Sequence, residues 1–385
     1  MDNQEVTYDR AQELFPDTDI AVGYKMISLE MFLGKVAHSS IIFQVYISVL
    51  GILLTIPHFF ILTRESVMTS SVISMMTGVA FCDFVSMVAT LVSSGVMFDT
   101  AGTECSPPAS LLLYRVSWAF LVFRDFVRRA STWLGVLMAL IRYLVIKFST
   151  QHKFQSISSI PFGFYCCLVC FAFSSIISIV YYFRFDFELE SEWRPSTTCS
   201  DYSPSTVLPI VVQRMSTVFT EYSRLGRWFM FFNGFVSKIL PCVFLPILTV
   251  LLLSIISQSH KGSIGSSIRK KRSERTTILV IIMAVAFFFV ELPVGISISF
   301  QALHTGTGYL LITSDVNHIC TTIFLVNATC HSLMCFMMSS QYRRTVVKAF
   351  GMNRKKNSRG IAIVSNGNGF SVAGPMTLHR TFAAS

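Results

Sequence analysis

Arg124, Asp125, Arg128 and Arg129 stand within six positions of an otherwise apolar stretch, and Asp83 and Glu291 stand as single carboxylates in two others. A guanidinium held away from water draws a carboxylate or another polar acceptor into charge-assisted hydrogen bonds. These residues therefore suit binding and buried ion pairing rather than bond making. Nucleophilic catalysis would need an activated serine or cysteine, and neither G-x-S-x-G nor a histidine-rich box is present.

Charged residues inside a membrane span cost roughly 2.5–3.5 kcal/mol each on insertion scales, so they should face a protein interior or a water-filled cavity. At about 100° per residue, with Arg124 at zero, Arg128 falls near 40°, Ser131 near 340°, Gly135 near 20° and Arg142 again near zero. That stripe is small and charged. The opposite side carries Phe126, Ala130, Trp133, Leu137, Leu140 and Leu144, which suits lipid or neighbouring helices. Arg128 and Arg142 are separated by roughly 21 Å of helix, so one stripe reaches both a pocket at one end and the opposite mouth. Two arrangements fit the cluster. In one, Asp125 pairs with Arg128 or Arg129 on its own helix and merely caps the end. In the other, Arg124, Asp125 and Arg128, with Glu291 from another helix, line a ligand pocket.

The elements that must position these residues follow from composition. Of 385 residues, 52% are hydrophobic and 14% charged, and the mean hydropathy is +0.58; a soluble domain keeps about 25% charged. The apolar residues fall in blocks near 40–63, 70–97, 116–147, 158–183, 228–257, 276–300 and 316–339, each comparable to the roughly 20 residues that cross a bilayer as a helix. The third block is interrupted by its charges, and the odd number of crossings that the flanking charges require supports keeping it. Residues 1–39 are polar and acidic with no basic start followed by an apolar run, so the first block is expected to act as the insertion signal.

Lysine and arginine collect in 260–275 (six basic, one acidic) and 341–359 (seven basic, none acidic), whereas the first 30 residues hold seven acidic against two basic and 184–201 holds five against two. The positive-inside rule makes the first pair cytoplasmic and the second extracellular, which requires an odd number of crossings. Residues 1–39 are expected to form an extracellular tail, 40–350 the membrane domain, and 351–385 a disordered basic cytoplasmic tail. The basic run Arg269–Arg272 suits anionic lipid rather than nucleic acid. Eight of ten cysteines lie in apolar blocks as small hydrophobes, while Cys105 and Cys199 lie in polar connecting segments. The glycosylation pattern Asn327-Ala-Thr329 falls inside a span and is discarded.

The stretch STWLGVLMALIRYL (Ser131–Leu144) resembles the third helix of nematode serpentine chemoreceptors of class W, relatives of the rhodopsin-like FMRFamide peptide receptors. Residues 58–84 (HFFILTRESVMTSSVISMMTGVAFCDF), 238–253 (KILPCVFLPILTVLLL) and 327–346 (NATCHSLMCFMMSSQYRRTV) agree, and the likeness covers roughly 40–350. It implies an all-α membrane protein: a rhodopsin-like bundle of seven transmembrane helices with a short cytoplasmic amphipathic helix starting at Tyr342 and Arg343. It implies a plasma-membrane receptor, not an enzyme, that reports an extracellular peptide or small-molecule ligand to a heterotrimeric G protein. A transporter or channel is the alternative, but inverted repeats and a row of acidic residues along a path are not seen.

Carried over by position, the resemblance makes Arg142 and Tyr143 the G-protein contact, and Asp83, Pro293, Asn327 and His331 the activation switch. It implies no cofactor other than a sodium ion near Asp83. It also implies a loop disulfide, here Cys105 with Cys199, although Cys105 lies farther from Arg142 than usual and two free thiols are the alternative. The segment from Arg184 to Arg227 would then fold over the cavity mouth as a lid. Several positions depart from the wider pattern: Thr55 in the first helix, Ile141 in place of the acid before Arg142, Glu291 where a tryptophan is common, and HSLMC (331–335) in place of NPxxY. Glu274 is the candidate substitute partner for Arg142. The acidic lid suits a cationic ligand and the arginines an anionic one, so ligand charge stays open.

Overall fold

The computed structural model describes residues 12–349 apart from 17, 101–104, 106, 149–150, 196–202, 204, 220–223, 262–284, 286, 305 and 339. The basic run Arg269–Arg272, Glu274, Cys199 and the tail beyond 349 lie outside the described residues. Six described helices are long and apolar enough to cross a membrane, and Phe287–Gln301 is a shorter apolar helix. In chain order the bundle comprises α1 (Ile20–Leu62), α2 (Ser71–Thr100), α3 (Leu111–Lys147), α4 (Ile160–Tyr182), α5 (Arg224–Gly234, Phe235–Ile239 and Leu240–Lys261), α6 (Phe287–Gln301) and α7 (Thr307–Met338), followed by α8 (Ser340–Ala349). A hairpin of β1 (Phe185–Trp193) and β2 (Leu208–Met215) joins α4 towards α5, antiparallel with Phe185 opposite Met215 and Trp193 opposite Leu208.

Helices span a bilayer because every backbone group is then satisfied within the segment, and here their apolar faces point outward. On α1 the buried positions Gln44, Ser48, Gly51, Thr55 and His58 recur at alternating steps of four and three, while Tyr46, Leu53 and Phe60 are exposed. The seam is small and polar, as expected where close packing and interhelical hydrogen bonds, not water exclusion, join helices. Gln44 Nε2 donates to His318 O at 2.8 Å and Thr322 Oγ1 at 3.0 Å, tying α1 to α7. The first span, expected from 40, is the later part of a helix that begins at Ile20. Lys25, Glu30 and Lys35 lower its hydropathy without interrupting it, and Phe15 and Ile27 pack against Tyr309 and Ile312 of α7.

The third helix is the centre of the bundle. Ser110 caps it, accepting from Leu113 N at 3.3 Å, and from Ser117 to Val145 only Phe123 is exposed. Of the two surroundings expected for the side opposite the stripe, neighbouring helices are what it meets: Ala130 is fully buried against Cys82 and Val127, with Phe126 and Phe171 beside it. Cys166, Cys167 and Cys170 of α4 pack with Met75, Val79, Leu134 and Ile141 as free thiols. They serve as small hydrophobes.

The fifth helix is built in three parts: Arg224–Gly234, a π-helical turn at Phe235–Ile239, and Leu240–Lys261. Leu240 N bonds to Phe235 O, five residues back. Pro241 follows, and a proline ring crowds the carbonyl four residues before it, here that of Ser237. The wider turn relieves that clash and places Ser237 and Lys238 in the bundle interior, 0% and 1% exposed. Opposite, a Cβ on Gly295 of α6 would stand 2.8 Å from Lys238 Cβ, and one on Gly234 would stand 2.9 Å from Gly295 O. Two glycines therefore set how closely α5 and α6 approach.

Candidate functional site

At the hairpin end a cavity of about 570 Å³ opens between α3, the end of α4, β1, α6 and α7. Arg124, Asp125 and Arg128 line it, joined by Arg184, Gln301 and Asn317. Trp118 Nε1 donates to Tyr182 O at 2.9 Å, fixing the wall where α3 meets α4, and its ring stands edge-on to Phe185 at 4.9 Å. The segment after Arg184 does reach the cavity, but as strands: Phe185, Phe187 and Gln213 lie on its wall. Arg184 donates to Gln301 Oε1 at 2.9 Å and to Tyr181 Oη at 3.0 Å, tying the end of α4 to α6.

Beneath the cavity lies a buried ion cluster. Arg128 Nε donates to Glu291 Oε1 at 2.5 Å and Nη1 to Thr321 Oγ1 at 3.1 Å. Lys238 Nζ stands 3.0 Å from Glu291 Oε2 and 3.2 Å from Asp125 Oδ1. Arg129, 0% exposed, pairs with Asp125 and donates to Ser237 Oγ at 2.8 Å, Ser178 Oγ at 2.9 Å, Ser174 O at 3.0 Å and Asn233 Oδ1 at 3.2 Å. Two carboxylates and three cations thus bind α3, α4, α5 and α6. Partners of this quality are what make a buried charge tolerable.

Both arrangements expected for the charged cluster need correction. Asp125 does pair with Arg129 on its own helix, yet the cluster is the bundle centre rather than an end cap. Glu291 does not line the cavity; it is 0% exposed and committed to Arg128 and Lys238. Lys238, Asn233, Ser237 and Arg184 were missed. Lys238 had the same signal as Glu291, a lone charge in an apolar block.

At the other end of α3, Arg142 shares the wall of a second cavity, about 100 Å³, with Ser131, Gly135, Phe287, His331 and Cys335. Among the described residues no hydrogen bond or ion pair engages its guanidinium. Tyr143 Oη accepts from Lys147 Nζ at 2.9 Å. Asp83 is 4% exposed and stands 3.4 Å from His331 Nδ1; the His331 ring meets that of His58 at 5.5 Å, and His58 Nδ1 bonds Tyr342 Oη at 2.7 Å. Burial pushes the Tyr342 phenol up. Hard cations take oxygen ligands, and the described partner of Asp83 is an imidazole nitrogen. Among the described residues Asp83 has no oxygen partner that would help it hold a sodium ion. Pro293 and Asn327 are half-buried on α6 and α7 and join neither cluster. Cys105 is disulfide-bonded, and its expected partner Cys199 lies outside the described residues.

Six membrane-length helices and the shorter α6 around a charged central helix, with a cavity at one end and an arginine-lined hollow at the other, have the architecture of a seven-helix membrane receptor. The chain belongs to the family described as the serpentine type 7TM GPCR chemoreceptor Srw, which matches residues 42–353. It is also 21% identical over 355 residues to the G-protein coupled receptor dmsr-1 of Caenorhabditis elegans, covering 80% of this chain and 67% of that protein. The class W resemblance is borne out. Membership makes this a multi-pass membrane protein whose partners are a ligand, a G protein and the bilayer.

Proposed function

We propose that this receptor sits in the plasma membrane with its amino terminus and hairpin outside and Arg142, α8 and the basic tail in the cytoplasm. The hairpin-end cavity takes an extracellular chemosensory or peptide ligand through Arg124, Arg128 and Asp125. Arg142 and Tyr143 engage a heterotrimeric G protein, and Asp83, Pro293, Asn327 and His331 change contacts as the bundle switches. Residues 40–350 act as the membrane domain, flanked by an extracellular tail over 1–39 and a cytoplasmic tail over 351–385.

Support comes chiefly from α3, which carries arginines on the walls of both cavities. A ligand contacting Arg124 or Arg128 therefore presses on the same rigid helix that presents Arg142, roughly 21 Å away along its axis. The positive flanks of 260–275 and 341–359 support the orientation. An amino-terminal epitope should bind antibody on intact cells, and a screen of peptides and polar metabolites with promiscuous G proteins should yield an agonist that raises nucleotide exchange. An epitope reached only after permeabilisation would overturn the orientation. A ligand bound in the cavity without any change in exchange would overturn the coupling role.

A further inference from the structure

We infer that the hairpin-end cavity selects an anionic ligand, a carboxylate carried on an apolar or aromatic body, with Arg124 as its anchor. This rests on the assignment of that cavity as the ligand site and adds the ligand's charge and shape.

Hydrogen-bonding groups on and beneath the cavity wall are unbalanced. Both oxygens of Asp125 are taken, Oδ1 by Lys238 and Oδ2 by Arg129. Glu291 is taken by Arg128 and Lys238. The donors are not all used. Arg124 is 6% exposed, lines the cavity, and among the described residues has no hydrogen bond or ion pair. Arg128 keeps Nη2 without a partner, and Arg184 keeps Nε. Buried polar groups are normally hydrogen-bonded, and a buried guanidinium without an anion is the costliest case. A ligand that brings acceptors complements this excess of donors; one that brings an ammonium meets three arginines and, among the described lining residues, no unpaired carboxylate.

The acidic hairpin does not reverse this sign, because the strand pleat separates its two faces. Side chains alternate across a strand: Phe185 and Phe187 lie on the cavity wall, while Asp186 and Glu188 are exposed. Arg214 pairs with Glu188 and Glu190 on that outer side. The aromatic wall, with Trp118 and Tyr181, offers the apolar body a surface. A volume of about 570 Å³ lies within the roughly 300–1,000 Å³ typical of small-molecule sites. It holds one small acid or the carboxyl-terminal end of a peptide.

The test uses full-length purified receptor in nanodiscs, with melting temperature read against millimolar probes. The small-molecule arm compares arylalkanoic acids with the matching amines and primary amides. The peptide arm compares short peptides ending in phenylalanine as free acids and as amides. Acids in at least one arm should raise the melting temperature, and that arm identifies the source; amines and amides should not. Arg124→Gln should weaken the acid response about tenfold or more, as expected for loss of a charge-assisted hydrogen bond, while Arg124→Lys should retain part of it. Amines or amides matching the acids, an acid response unchanged in Arg124→Gln at normal melting temperature, or no response to any acid would each overturn the inference. A cationic agonist that drives nucleotide exchange would overturn the anion but keep the receptor; acid binding without exchange would do the reverse.

Discussion

The two ends of α3 lie in opposite kinds of surroundings. Near the hairpin, Arg128 and Arg129 are bonded on several sides, to Glu291, Asp125 and three serines or their backbone on α4 and α5, and Lys238 shares both carboxylates. Towards α8, Ile141 is buried where an acid would restrain its neighbour, and Arg142 faces a mostly apolar hollow. Polar contacts at that end instead run from Asp83 through His331 and His58 to Tyr342, joining α1, α2, α7 and α8 and leaving out α5 and α6. Among the described residues, ion pairs thus hold α3 to α5 and α6 only around the hairpin-end cavity. The described charges form a pivot at one end, whereas at the other α5 and α6 meet α3 through apolar contacts of Val136, Leu245 and Phe287, which can part without breaking an ion pair.

Breaking the pivot should cost most. Glu291→Gln leaves Arg128 and Lys238 without their shared carboxylate, and removal of one partner from a buried ion pair costs about 3–5 kcal/mol. Thermal unfolding of purified receptor should show a large drop, with partial recovery when Lys238→Met is added. Equal drops in single and double variants would mean that charge balance is not what Glu291 supplies. Gly295→Val comes next. Its side chain would push against Lys238 and Ile239, and overpacking costs about 1–3 kcal/mol; the same melting assay should show a smaller loss. His58→Phe removes the bond to Tyr342 and should cost about 1 kcal/mol, read as faster proteolysis at α8. Smallest is the pH effect. The Tyr342 phenol is held neutral above its usual range, so the unfolded state loses its proton first. Stability from this group is complete below about pH 10 and declines above it. Melting from pH 9 to 11 should fall more steeply in the wild type than in Tyr342→Phe.

Much of this was legible in the residues. Long apolar blocks and a charged stripe on the third were enough for the bundle, and the string from Ser131 to Leu144 was enough for the family. Other features were hidden for physical reasons. Hydropathy averages missed the first half of α1, because scattered Lys25, Glu30 and Lys35 do not disturb a helix. The alternation in Phe185–Trp193 was a clear period of two, overlooked against a helical background. Which partner each charge takes was not readable, since the π turn before Pro241 and the Gly234–Gly295 contact decide that Lys238 meets Glu291. The place of His331 beside the Asp83 carboxylate was equally hidden, since only packing brings the two together.

The central claim is that α3 joins ligand cavity to G-protein contact as one rigid element. Arg142→Ala tests it most directly, with probe binding by melting shift and agonist-stimulated nucleotide exchange measured on the same preparation. Unaltered binding with exchange reduced to background is expected. Loss of both at wild-type melting temperature, or retention of both, would contradict it.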